Sequence, residues 1–148
     1  MHLSESIRSI LNKKSGVIFS VSPSDSVYTA IAMMADKEVG ALLVISEGQI
    51  VGIVSERDYA RKVFLKGKSS PSTTVAEIMS SPVIAVSPDH SVGDCMEIIT
   101  KNRIRHLPVM EHERLVGMIS IGDLVNSILA SQRETIRHLE AYITGTPT

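Results

Sequence analysis

Apolar residues recur along the chain with two periods, one typical of helices and one typical of short buried strands. Helical spacing predicts an amphipathic helix over about residues 3–13 and a second helix beginning at Val27. A further helix is predicted after Ser55, followed by a linker rich in Lys and Ser at 67–73. Runs of β-branched and other apolar residues predict three strands, at 17–21, 41–45 and 50–54. The order is β-α-β-β-α, with the last two strands joined as a hairpin.

The same order restarts 65 residues later. A strand is predicted at 83–86, a helix begins at Val92, and a second hairpin spans 107–119. Identical residues at equivalent positions keep one register without a gap: Val27/Val92, Val44/Val109, Val51/Val116, Gly52/Gly117, Ser55/Ser120 and Asp58/Asp123. A register held over this length indicates a tandem duplication.

The duplication predicts an α+β fold in which two β-α-β-β-α repeats cover each other's apolar faces about a pseudo-twofold axis, with flanking N- and C-terminal helices. The predicted boundaries are an N-terminal helix at 1–15, repeat 1 at 16–66, a linker with a short helix at 67–80, repeat 2 at 81–130, and a C-terminal helix extension and tail at 131–148.

Composition narrows the classes of function. A formal charge of −1 argues against a general nucleic-acid binder, which needs a strongly basic face. A single cysteine excludes an internal disulfide and favours a reducing compartment. No apolar run approaches the ~20 residues of a membrane span, and the first residues lack the features of a signal peptide. We therefore expect a soluble protein of the cytoplasm.

Each repeat ends in the motif Gly-x-x-Ser-x-x-Asp, beginning at Gly52 and at Gly117. The serine stands where a strand gives way to a helix, and the unpaired N–H groups of a helix start suit a phosphate. An acid one turn further on suits the two hydroxyls of a ribose. The plainer interpretation is that the serines are helix caps and that Asp58 and Asp123 are acids favoured by the helix dipole. The repetition in register favours a nucleotide site.

The chain resembles a pair of CBS domains, named after cystathionine β-synthase and together called a Bateman module. The resemblance covers about residues 16–129 and is carried by the Val-x-Pro turns, by the segment 103–109 and by both Gly-x-x-Ser-x-x-Asp motifs. It implies binding of AMP, ADP, ATP, NAD(H) or S-adenosylmethionine in clefts between the repeats. It also implies disc-like homodimers of paired modules.

Two composite sites follow from the resemblance. In one, Asp123 would hold the ribose while Ser120 and Gly122 face the phosphate. The remaining residues of that site would be the donors Arg105 and His106 and the adenine neighbours Val17, Phe19 and Val39.

In the second site, Asp58 would hold the ribose, with Ser55 and Arg57 toward the phosphate. The residues framing its base would be Ala41, Pro82, Ile84 and Ile104. The two sites differ in charge, since Gly40-Ala41 replaces Arg105-His106 and Arg57 replaces Gly122. They are therefore expected to differ in affinity or in preferred ligand.

No catalytic motif accompanies the repeats: the chain has no Gly-x-Ser-x-Gly elbow, P-loop, His-Glu-x-x-His or Cys-x-x-Cys sequence. His106 and His112 have no partner at metal-ligand spacing, and Cys95 is expected to be a buried small residue. We predict a standalone module that is not an enzyme, has no catalytic cofactor or metal, and reports energy or redox charge to a regulated protein.

Two alternatives stay open. The first is a ligand-free homodimeric interaction scaffold that uses the amphipathic ends of the chain, with Leu3, Ile7, Ile10, Ile128, Leu129, Ile136 and Leu139 as its apolar contacts. The second and weaker one is a regulator linked to nucleic acid, which the near-neutral charge disfavours.

Overall fold

The computed structural model describes residues 2–14 and 16–144, so the last four residues of the predicted tail lie outside the described part. The chain divides into two compact units. The first-repeat unit is the continuous segment Val17–Ile84. The second-repeat unit is discontinuous, because it joins the residues up to Gly16 to those from Ala85 onward.

Eleven helices and strands are labelled here in chain order. They are α1 Arg8–Lys13, β1 Ser20–Val21, α2 Val27–Lys37, β2 Ala41–Ser46, β3 Gln49–Ser55, α3 Glu56–Tyr59, α4 Val75–Ile78, α5 Val92–Asn102, β4 His106–Glu111, β5 Arg114–Ser120 and α6 Ile121–Thr144. A 3-10 turn at His2–Ser4 precedes α1, and a π-helical turn at Ala60–Phe64 continues α3. The structure has the α+β architecture in two repeats that the sequence predicted.

The first-repeat unit is built on a three-stranded sheet of order β1-β2-β3, in which β1 runs parallel to β2 and β3 runs antiparallel to it. Helix α2 starts where the Ser26 hydroxyl accepts a bond from the Thr29 N–H at 3.1 Å and ends at Glu38, whose φ is +56°. The buried core of the unit consists of Val21, Val27, Ala30, Met34, Leu42, Val44, Val54, Val63, Val75 and Ile78.

Among its described residues, the second-repeat unit has the hairpin β4-β5 as its only sheet. The predicted strand at 83–86 is reduced to one parallel bridge between Val86 and Val109. Proline explains the difference: in the first repeat the Leu43 N–H donates to the Phe19 carbonyl at 3.3 Å, whereas Pro108, 65 residues later, has no N–H to donate. The predicted strand at 17–21 is likewise shorter, since pairing is confined to β1.

The N-terminal segment completes the second-repeat unit. The Ile7 N–H donates to the His90 carbonyl at 2.9 Å, and the Val92 N–H donates to the Glu5 carbonyl at 2.8 Å. An antiparallel bridge between Ser6 and Ser91 therefore interrupts the helix predicted over 3–13, and α1 begins only at Arg8. Ile7 is fully buried and Ile10 nearly so.

The linker before α4 makes equivalent hydrogen bonds to the first-repeat unit. The Val27 N–H donates to the Thr73 carbonyl and the Val75 N–H donates to the Asp25 carbonyl, both at 2.8 Å. Each repeat is thus supported by the segment that precedes a short helix, and for the second repeat that segment is the start of the chain.

The two hairpin turns use left-handed backbone at equivalent positions. Gly48 has a φ of +76° in the first, and Glu113 has a φ of +63° in the second. Left-handed backbone costs a residue with a Cβ about 1–2 kcal/mol. We therefore expect Gly48→Ala to lower, and Glu113→Gly to raise, the free energy of unfolding by up to about 1 kcal/mol. Chemical denaturation of both variants checks this, and a loss of stability in Glu113→Gly would contradict it.

Within the part of the chain that the structure describes, no helix is both long enough and apolar enough to cross a membrane.

Candidate functional site

The motif of the second repeat forms a reciprocal cap at the junction of β5 and α6. The Ser120 N–H donates to Asp123 Oδ2 at 2.9 Å, and the Asp123 N–H donates to the Ser120 hydroxyl at 3.1 Å. This geometry is a capping box, which holds both side chains at the start of the helix. Gly122, between them, has open space around its Cα hydrogens, with only the Ser120 hydroxyl within 3.6 Å of where a Cβ would lie.

A cation from the N-terminal segment reaches this junction. Lys14 Nζ lies 2.7 Å from Asp123 Oδ2 and donates to the Met118 carbonyl at 2.8 Å. Partial burial opposes ionisation of Asp123, yet the bonds from Lys14 and Ser120 outweigh it, so the pKa of this carboxyl is lowered. Asp123 is therefore a charged, oriented acceptor at neutral pH.

His106 opens β4 directly opposite Ser120 in the antiparallel register. Burial, followed by the positive charge of Lys14, lowers the pKa of His106 below its ordinary value. Arg105 is exposed beside it, and its carbonyl accepts the Ile121 N–H at 2.9 Å. Within the second-repeat unit the backbone therefore places Arg105 and His106 beside the Ser120–Asp123 cap, with Gly122 in the first turn of α6. Their joint role in binding a ligand stays a prediction.

We expect His106 to titrate below the ordinary histidine pKa of about 6.5. Because the folded-state pKa is the lower one, stability from neutral His106 is fully present above about pH 6.5 and is lost as the pH falls toward the folded value. Lys14→Met removes a like charge and should raise the pKa. NMR titration measures the pKa of His106 in the wild type and in Lys14→Met, and the His106→Gln variant assigns the signal. An unchanged pKa in Lys14→Met would contradict the role of Lys14.

The motif of the first repeat forms the same kind of reciprocal cap, at the start of α3. Ser55 N–H and hydroxyl each donate to Asp58 Oδ2 at 3.0 Å, and the Asp58 N–H donates to the Ser55 hydroxyl at 3.1 Å. Asp58 Oδ1 is also engaged, since Lys62 Nζ lies 3.1 Å from it and the Ser80 hydroxyl donates to it at 3.3 Å. Lys62 donates in addition to the Ile78 carbonyl at 2.9 Å.

Other predicted neighbours of Asp58 are divided between the units. Arg57, Ala41, Pro82 and Ile84 belong to the first-repeat unit, with Ala41 buried and Pro82 exposed. Ile104 belongs to the second-repeat unit, where it is half-buried and its N–H donates to the Ile99 carbonyl. Their convergence on one base stays a prediction.

The predicted adenine neighbours of the other site also lie in the first-repeat unit. Val17 is 63% exposed, whereas Phe19 and Val39 pack half-buried against the core of that unit. Lys37 Nζ lies 5.5 Å from the centre of the Phe19 ring, within cation–π range. Their association with Asp123 stays a prediction as well.

Sequence reasoning missed three polar partners of the motif carboxylates: Lys14, Lys62 and Ser80. Lys62 follows Asp58 by four residues on a predicted helix, a spacing that signals an ion pair. Lys14 lies 109 residues from Asp123, and no local pattern marks that contact.

Two further kinds of site were considered for the described residues, a metal site and a reactive thiol. Among residues 2–14 and 16–144, no three His, Cys, Asp or Glu side chains form a group that could hold a metal ion. Cys95 is buried in the second-repeat unit, and burial raises the pKa of its thiol to about 11. Its thiol is therefore protonated at neutral pH, as expected of a packing residue.

The sequence matches the CBS domain family twice, over residues 7–64 and 75–130. The chain belongs to the CBS-domain family. Each matched segment contains one Gly-x-x-Ser-x-x-Asp motif, so both reciprocal caps lie within recognised CBS domains. The resemblance drawn from the motifs is confirmed.

Known CBS proteins resemble the chain over most of its length. A solved protein with CBS domains from Burkholderia ambifaria is 48% identical and superposes with a TM-score of 0.83, covering 86% of this chain and 96% of that one. The mitochondrial CBS domain-containing protein CBSX3 of Arabidopsis thaliana is 43% identical over 126 residues, which are 82% of this chain and 61% of that protein. The CBS domain-containing protein YhcV of Bacillus subtilis is 29% identical, over 78% of this chain and 81% of YhcV. The match thus spans less than two thirds of the plant relative's length.

Proposed function

We propose that this CBS pair is a regulatory module that binds an adenosine nucleotide, AMP, ATP or NAD(H), and signals its level to a partner protein as an energy or redox sensor. Regulation rather than catalysis agrees with the family and with the lack of a catalytic motif in the printed sequence. Adenosine ligands are what CBS domains generally bind.

The observation that carries the proposal is the Ser120–Asp123 cap. It places an ionised carboxylate at the start of a long helix and at the end of a strand, beside the uncrowded backbone of Gly122. A carboxylate suits ribose hydroxyls, and a helix start suits phosphate. Lys14 Nζ donates to Asp123 at this point, and His106 lies opposite Ser120 in the hairpin, with the exposed Arg105 next to it in sequence.

Calorimetric titration of ligand-stripped protein with AMP, ADP, ATP, NAD⁺, NADH and S-adenosylmethionine tests the proposal. We expect saturable binding of at least one of them, with a ligand-dependent rise in Tm. Guanosine nucleotides of the same charge are the matched control for a purely electrostatic response. Equal binding of GTP and ATP, or no binding of any adenosine ligand, would count against an adenosine sensor.

A second candidate, the homodimeric interaction scaffold, is favoured by the exposed apolar side chains of α6. Ile136, Leu139 and Ile143 are 54%, 58% and 80% exposed and recur at spacings of three and four residues. Of the three N-terminal residues predicted for such contacts, Leu3 is 46% exposed, whereas Ile7 and Ile10 are buried within their own unit. The predicted contribution of those two isoleucines to dimer contacts is therefore wrong.

Sedimentation of the protein and of an Ile136→Glu/Leu139→Glu variant separates the two candidates. A dimer that dissociates in the variant without any nucleotide would favour the scaffold. The predicted homodimer and cytoplasmic location both remain proposals, and the description of the plant relative as mitochondrial belongs to that protein. Nucleic-acid binding stays the weakest proposal, given the formal charge of −1.

A further inference from the structure

We propose that only the second-repeat motif binds the ribose of a ligand, so that each chain takes up one nucleotide, and that Asp58 is a structural carboxylate. The inference deepens the proposed function and rests on it. It is drawn from the hydrogen bonds of the two aspartates, which occupy equivalent positions in the repeats.

Asp58 has no acceptor capacity left. A carboxylate offers about four lone-pair positions, and four donors surround this one: Ser55 N–H and hydroxyl at Oδ2, and Lys62 and the Ser80 hydroxyl at Oδ1. Its side chain is only 13% exposed. A ribose diol would have to displace at least two of these donors, and the displaced Lys62 would lose its ion pair.

Asp123 is engaged at one oxygen only. Ser120 N–H and Lys14 both donate to Oδ2, and no donor among the described residues bonds Oδ1. The side chain is 24% exposed, about twice as much as that of Asp58. Oδ1 therefore keeps two lone-pair positions, the number that the two hydroxyls of a ribose require.

The surroundings of the second-repeat cap are also more polar and more open than those of the first-repeat cap. Next to Ser120 lies His106, paired across the hairpin, whereas the equivalent position beside Ser55 is the buried and apolar Ala41. In the first turn of α6, Gly122 leaves open space for a phosphate to approach the backbone, whereas Arg57 places a long side chain in the equivalent turn. The second repeat thus combines an uncrowded first helical turn at Gly122 with a polar side chain at His106.

The test is a titration of wild type, Asp123→Ala and Asp58→Ala with ATP and with 2′,3′-dideoxy-ATP, or with AMP or NAD⁺ and the matching dideoxy analogue if that ligand binds better. Wild type should bind one ligand per chain and lose about 10- to 100-fold in affinity when the hydroxyls are removed, because their bonds to an ionised acceptor are lost. Asp123→Ala should weaken the ribose ligand by a similar factor and make the two ligands equivalent. Asp58→Ala should keep the wild-type stoichiometry and the preference for ribose while its Tm falls.

Two results would overturn the inference while leaving the nucleotide sensor intact. One is a stoichiometry of two ligands per chain, and the other is loss of the ribose preference in Asp58→Ala. If Asp58→Ala does not fold, Asp58→Asn, which keeps the shape of the side chain, serves in its place. Absence of binding by every adenosine ligand would overturn the proposed function itself, and with it the inference.

Discussion

Replacing Ile7 with alanine is expected to lower the free energy of unfolding of the second-repeat unit by about 2–5 kcal/mol. The side chain is fully buried although it lies near the start of the chain. It is fixed there by the bond from its N–H to the His90 carbonyl, beside the bond from Val92 to Glu5. Truncation would leave a cavity between the N-terminal segment and the second repeat, and packed neighbours collapse into such cavities only in part.

Leu3→Ala is the matched control, because Leu3 lies in the same segment but is 46% exposed. Denaturant unfolding of both variants should give a loss for Leu3→Ala well under half of that for Ile7→Ala. Equal losses would mean that the N-terminal segment is not an integral part of the second-repeat unit.

Gly52→Ala is expected to cost more stability than Gly117→Ala, although the two glycines are equivalent in the repeats. A Cβ at Gly52 would lie 2.7 Å from Met79 Sδ and 3.1 Å from the Ser80 carbonyl oxygen. That carbonyl would have to move by a few tenths of an ångström, and its bond from the Ile53 N–H at 3.0 Å resists the movement. A Cβ at Gly117 would lie 2.5 Å from Leu11 Cδ2, which is the end of a flexible side chain that is only partly buried.

We expect Gly52→Ala to lose about 1–3 kcal/mol, as overpacked sites commonly do, and Gly117→Ala to lose about 1 kcal/mol or less. Thermal and denaturant unfolding of the pair measures the difference directly. Met79→Ala should rescue Gly52→Ala in part, since it removes the sulfur contact and leaves the Ser80 carbonyl in place. The opposite order of losses would show that Leu11, rather than the Ser80 backbone, is the rigid neighbour.

Much of the fold could be predicted because local patterns and the repeat agree with each other. The 65-residue register placed both hairpins, and the motif placed Ser55 and Ser120 where helices α3 and α6 begin. The order of helix and strand in each repeat needed nothing beyond apolar periodicity and turn residues.

The features that the sequence did not predict depend on contacts between residues far apart in the chain, which leave no local pattern. Pairing of Ile7 with His90 and of Lys14 with Asp123 cannot be read from periodicity. The missing first strand of the second repeat depends on which N–H groups a parallel partner offers, and Pro108 shows its effect only once the register is known. The unequal hydrogen bonding of Asp58 and Asp123 arises from partners outside the motif itself.

The discontinuity of the second-repeat unit has a consequence for synthesis on the ribosome. Residues 17–84 are continuous, so the first-repeat unit has its full complement of residues before the second repeat is translated. Ile7 is translated earlier still, but the His90 carbonyl to which its N–H donates is made 90 − 7 = 83 residues later. Ile7 therefore finds its partners only after the second repeat has been made, and until then its apolar side chain is open to chaperones or to a neighbouring nascent chain.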